Sequence, residues 1–205
     1  MRKPWSLLLL FLLSCSVSLF AGDDKEKKDN DQPTNVTVHA RDYCDPVSFA
    51  AIGCGRDTSA GFITLSGFMA ELAAEKSVGA WRFVTSPTKA EEGANVRVSN
   101  LGGETHTFTR VKKFGGGFVA GLNAASGNPD PAPECAQIVG GKLVPQPPGA
   151  GNIFLPAGTS ATAQVNEGEV AHFQCCIHPW MRTTIDTRDN DDKDRDQDKS
   201  DNNQD

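Results

Sequence analysis

The chain has 205 residues, 38% of them hydrophobic and 22% charged, which is room for one ordinary soluble domain. Lys plus Arg number 20 and Asp plus Glu 26, and the resulting net charge of −6 argues against a nucleic-acid partner. No apolar run beyond the N-terminus is long enough to span a bilayer as a helix.

Residues 1–21 begin with Arg2 and Lys3, continue apolar from Leu7 to Leu13, and end at the small residue Ala21. This is the build of a secretory signal peptide, with cleavage expected after Ala21. Leu12-Leu13-Ser14-Cys15 offers a second reading as a degenerate lipoprotein site, with Cys15 lipidated. Either reading exports the chain, to a periplasm or outside the cell. Residues 22–35 are charged and poor in apolar side chains, so they read as a disordered linker. Residues 186–205 carry nine Asp against four Lys or Arg, a net −5, and read as a disordered acidic tail. That leaves 36–185 to fold as a single domain.

Within it, 58–80 shows the one helical pattern, with Phe68, Leu72 and Val78 near helical spacing, Ser66 as the cap and Gly79 as the end. Strands are expected at 81–85, 95–99, 106–111, 153–155, 160–165 and 169–176. In the third of these His106, Phe108 and Arg110 share one face. Residues 115–151 are rich in Gly, Pro and Asn, and so long a structureless stretch suggests a functional or disulfide-pinned insertion. The pattern suits an all-β Greek-key sandwich or partly open barrel with one helical insertion.

The chemistry concentrates in Phe173–Ile185, FQCCIHPWMRTTI. Cys175, His178 and Met181 are evenly spaced around Pro179, so one tight turn aims a thiolate, an imidazole and a thioether at a point. A soft thiolate, nitrogen donors and a weak thioether suit copper, whereas zinc has little use for Met. The second nitrogen should come from a neighbouring strand, and His106 in NLGGETHTF stands at the head of one. Each residue also has a plainer reading: His106 as a strand histidine, Met181 as core packing, Cys175 as half of a disulfide with Cys176 or with a distant cysteine.

The segment Cys175-Cys176-Ile177-His178-Pro179-Trp180-Met181, followed by Arg182, resembles the ligand loop of the cupredoxins, the blue copper proteins, in its amicyanin and plastocyanin form. The turn of 100–108 is similar to the first-ligand segment of the same family, and the resemblance covers about 96–185. It implies a Greek-key β-sandwich, one type 1 copper ion, and electron transfer without catalysis. The implied ligands are His106, Cys175 and His178, with Met181 axial. The family often has Asn after the first His; here Thr107 stands there, and its hydroxyl would have to do that work. Trp180 is read as packing that could border an exposed edge of His178. The implied partners are redox proteins met transiently by a monomer, and a copper carrier or store without electron flow is the alternative. A Cys-His hydrolase around Cys175 lacks any motif for its base or oxyanion pocket.

With Cys15 removed, Cys44, Cys54, Cys135, Cys175 and Cys176 remain, an odd number in an oxidising compartment. If Cys175 binds metal, four cysteines are left for two bridges out of three possible connectivities. Cys44–Cys54 and Cys135–Cys176 are the expected pairs. His39 and His172 read as ordinary surface residues.

Overall fold

The structure, a computed structural model, describes residues 35–55, 62–149, 151–166 and 168–188. The chain divides into Met1–Asp31 and Gln32–Asp205, and all described residues belong to the second unit. The expected signal segment, Cys15, and nearly all of the charged linker and acidic tail lie outside the described residues.

Two four-stranded sheets make the sandwich. One contains β1 (Asn35–Arg41), β2 (Arg82–Ser86), β3 (Asn95–Asn100) and β8 (Ser160–Gln164) in the order β2-β1-β3-β8. The other contains β4 (His106–Val111), β7 (Asn152–Leu155), β9 (Val170–Gln174) and β10 (Arg182–Asp186) in the order β10-β9-β4-β7. Strand alternation turns Val36, Val38, Val96 and Val98 of the first sheet inward against Phe108, Leu155, Phe173 and Ile185 of the second. Phe108 and Phe173 stack with ring centroids 4.2 Å apart, and burial of such side chains is worth about 1.5–3 kcal/mol each.

Several sequence expectations need correction. Residues 36–80 are not merely a helical extension. Their first strand, β1, lies inside a sheet, parallel to β3 with Val36 opposite Val96 and antiparallel to β2. The helix α1 runs over Leu65–Glu75 rather than to Gly79. Its cap is Thr64, not Ser66, because the Thr64 hydroxyl accepts the Gly67 N–H (3.2 Å) from an extended backbone. It ends where Lys76 turns left-handed at φ 59°, and its N–H returns to the Leu72 carbonyl.

The last expected strand stops at Gln174, so Cys175 and Cys176 sit in the loop that follows. Strand β10 was not expected at all, and it carries the fold one residue into the supposed tail. Beyond it, buried Thr187 donates its hydroxyl to the Asn166 carbonyl (2.7 Å). Nor is 115–151 structureless. It contains the short helix α2 (Ala120–Ala125) and a hairpin of β5 (Ala136–Val139) and β6 (Lys142–Pro145). This insertion explains why Thr107 and Thr109 are buried as well as the other face of β4: Cys135, Cys176, Ala132 and Phe118 pack beside that strand.

Both expected disulfides are present, Cys44–Cys54 and Cys135–Cys176, and among the described residues Cys175 is the one free cysteine, buried. The bridges span 10 and 41 residues of sequence. Loop-closure entropy alone assigns about 3 kcal/mol to the first and about 4 kcal/mol to the second. Paired Cys→Ser replacement, followed by denaturant unfolding, is expected to show the larger loss for the Cys135–Cys176 pair.

Candidate metal centre

The register of the second sheet brings the predicted ligands together. Strand β9 pairs with β10 so that Gln174 faces Arg182, and the Cys175 N–H donates to the Met181 carbonyl (3.0 Å). The intervening turn is closed again by the Met181 N–H on the His178 carbonyl (2.9 Å). Strand β4 lies on the other side of β9, which sets His106 at its first residue beside that turn.

Cys175 Sγ lies 3.9 Å from His106 Nδ1 and 3.9 Å from His178 Nδ1. The three ligand atoms fall within 4.8 Å of one another, and all three residues are buried. Met181 is 1% exposed and belongs to the same packed cluster as Cys175. The fold that gathers them is an all-β sandwich of two four-stranded sheets.

No family model and no curated protein matches the chain. Among solved structures, it is similar to a purple cupredoxin from Nitrosopumilus maritimus at 18% identity, with 53% of this chain and 84% of that one covered and a TM-score of 0.30. An oxidised amicyanin variant is similar at 13% identity (49% and 74% covered, TM-score 0.26). A reduced amicyanin variant follows at 15% identity (49% and 74% covered, TM-score 0.24).

Around this cluster, Thr107 serves the Cys175–Met181 turn in two ways. Its N–H points at Cys175 Sγ (3.4 Å), and its hydroxyl accepts the Cys176 N–H (2.7 Å). The loop is therefore held from β4 by both the backbone and the hydroxyl of Thr107. Gly117 is required nearby, because a Cβ there would collide with the Cys176 carbonyl.

Two carboxylates behind the histidines were not anticipated. Asp42 Oδ2 accepts the Nε2–H of His106 at 2.8 Å, with both side chains fully buried. The same carboxylate accepts backbone N–H groups of Gly103 (2.9 Å), Glu104 (3.1 Å) and Cys44 (3.2 Å). It also fills the space a Gly102 Cβ would need, so only glycine fits at 102. Glu104 Oε2 lies 3.6 Å from His178 Nε2 and accepts the Trp81 indole N–H. Each imidazole thus turns Nε2 to a carboxylate and Nδ1 to the thiol, which is the arrangement that orients metal-binding histidines.

Electrostatics follow from this packing. Burial raises the Asp42 carboxyl, but the His106 hydrogen bond and the Gly103 and Glu104 amides outweigh it and hold it below its usual range. Burial lowers His106, yet the hydrogen bonds of Asp42 and Cys175 prevail and raise it to about 9. Burial raises the Cys175 thiol, while hydrogen bonds and charge from His106 and His178 bring it well below its ordinary value. Glu104 moves the other way: burial raises it, incompletely offset by the His178 charge and the Trp81 hydrogen bond. Both shifts favour the charged pair, an imidazolium at His106 against a thiolate at Cys175. A divalent ion must displace the His106 Nδ1 proton, so apparent copper affinity is expected to fall about tenfold per pH unit below about 9. Isothermal titration at stepped pH in two buffers, which also counts released protons, checks this.

One expectation about exposure is corrected. His178 has no exposed edge, being only 3% accessible. Phe68, Trp81 and Trp180 surround its ring with centroids 6.3, 6.5 and 5.5 Å away. Phe68 comes from α1 and Trp81 from the residue before β2, so the segment outside the resemblance covers the centre. On another side, Leu122 and Ala125 of α2 pack against the same cluster. His39 and His172 stay outside it; His172 rests edge-on against Phe114 at 4.9 Å.

Proposed function

We propose that this chain is an exported, monomeric electron carrier that binds one type 1 copper ion through His106, Cys175 and His178, with Met181 as a weak axial donor. The observation that supports this most is the convergence of one thiolate and two imidazole Nδ1 atoms within 4.8 Å in a buried pocket. The donor set fits copper: a thiolate and two nitrogens beside a thioether match an ion that shuttles between two oxidation states. Zinc prefers a closed tetrahedron and gains little from a thioether. Bound there, copper would accept and release one electron, while the protein's rigid turn and its carboxylate-held histidines keep the donors in place. The chain's partners on this reading are redox proteins, which carry the chemistry at either end.

The burial of Cys175 argues against a nucleophilic hydrolase, since a substrate carbonyl has no way to reach the sulfur. The same burial, extended to both imidazoles, also suits a copper store, and this is the second reading. Copper titration followed by optical and electron-spin-resonance spectra tests the centre. An intense blue to purple thiolate band with a reversible one-electron couple is expected. A colourless stoichiometric complex, or a coloured one without a reversible couple, supports the store instead.

A further inference from the structure

With His178 enclosed, an electron reaching the centre must cross the shell of side chains around it. Phe68 and Trp81 touch the ring but are themselves buried, at 3% and 1% exposure. Glu104 is buried as well, at the inner wall of a surface groove of about 610 Å³ that Cys54, Gly55, Thr105 and Ile177 also line. Trp180 differs from all of these. Its ring packs edge-on against His178 with centroids 5.5 Å apart, and the residue is only half-buried. It lies two residues beyond His178 in the turn closed by Cys175 and Met181, so its backbone is fixed by the same hydrogen bonds that fix the ligands. Phe68 tilts against its other side at 5.9 Å.

We propose that Trp180 is the electron port of this protein: the aromatic bridge through which a one-electron redox protein exchanges with the centre across the His178 ring. Tunnelling weakens steeply with distance and with gaps, and a π-system in contact with an imidazole shortens the path from solvent to the ligand. The step forms and breaks no bond. One electron leaves the reduced partner and one is gained at the centre, the indole serving as a bridge without being oxidised. The indole also has no other visible task, because its buried Nε1–H meets no hydrogen-bond acceptor among the described residues. Removing that N–H therefore forfeits no bond, and a ring that keeps the contact without it should be tolerated.

This inference rests on the electron-carrier reading. Its test is electron self-exchange in mixtures of reduced and oxidised copper-loaded protein, followed by proton NMR line broadening, with absorption spectra and midpoint potentials recorded in parallel. Trp180→Phe is expected to exchange within about threefold of the parent. Trp180→Leu is expected to exchange at least tenfold more slowly, with spectrum and potential unchanged. If Leu fails to load copper, Trp180→Met fills similar space without a ring and takes its place in the comparison. Ile52→Arg, at an exposed residue that also lines the Glu104 groove, is expected to leave the rate near that of the parent. A ringless variant that exchanges at the parental rate with an intact couple overturns the port, as does a slowing confined to Ile52→Arg. Absence of any reversible couple in the parent protein overturns the carrier reading instead, so the two failures are told apart.

Discussion

Cys175→Ser is expected to abolish the intense visible band of the copper-loaded protein, and Cys176→Ser to leave it in place. The two cysteines are neighbours, so the contrast isolates which sulfur meets the metal. Among the described residues only Cys175 is a free cysteine, and it faces both imidazoles at 3.9 Å each. Cys176 is bridged to Cys135 and packs beside Val111 and Phe118. A hydroxyl in place of the thiolate removes the charge-transfer donor itself, so the band should vanish rather than shift. Copper affinity should drop with it, since the softest and only anionic ligand is gone. The Cys176 variant should instead lose stability, by the roughly 4 kcal/mol assigned to closing that loop. Making it together with Cys135→Ser avoids leaving an unpaired thiol. A visible band that survives Cys175→Ser would remove the thiolate from the centre.

The second large effect is expected at Asp42. Asp42→Ala strips the buried imidazole of His106 of its partner and leaves three backbone N–H groups without their acceptor. Breaking a buried ion pair from one side costs about 3–5 kcal/mol. Metal affinity should fall about 10- to 100-fold, because the ring loses the carboxylate that orients it and makes Nδ1 a stronger donor, a loss that outweighs the weaker competition from protons. The sign of the accompanying titration is fixed. Asp42 helps to raise His106 to about 9, so the variant's His106 should lose its proton at lower pH. NMR titration of the metal-free variant reads this directly. Asp42→Asn retains an acceptor oxygen without charge and should fall between the parent and Ala. Unchanged affinity in Asp42→Ala would show that His106 is oriented by something else.

The convergence of the candidate ligands was legible because they share two short segments: a tight turn holds three of them, and the fourth heads a strand with clear alternation. The disulfides followed from an odd cysteine count once one thiol was set aside. Asp42 was not legible, since it meets His106 across 64 residues of sequence and a single Asp in a turn has no spacing to betray it. Glu104 stood two residues before His106 and could have been considered. Strand β1 has as clean an alternation as β3, but it lay outside the family likeness and was read as an extension. The parallel β1–β3 pairing that corrects this is long-range, which local periodicity does not report. Strand β10, RTTID, is short and polar on paper; its burial comes from β9 and from Ile185 entering the core. The helix boundary moved because a backbone-capping hydroxyl at Thr64 and a left-handed Lys76 outweighed the glycine that looked like the natural stop.

The adjacency of Cys175 and Cys176 also bears on how the molecule can go wrong during folding. Two chemically identical thiols, side by side, are sorted solely by which way the backbone points each one. A slip of one position in the pairing that leads into this turn would swap their destinies, offering 176 to the histidines and 175 to the oxidising machinery. On the copper-carrier reading, the faithful zipping of β9 between its neighbours would decide which sulfur meets the metal. Chains oxidised before that zipping finishes would emerge permanently colourless, however much copper is supplied later.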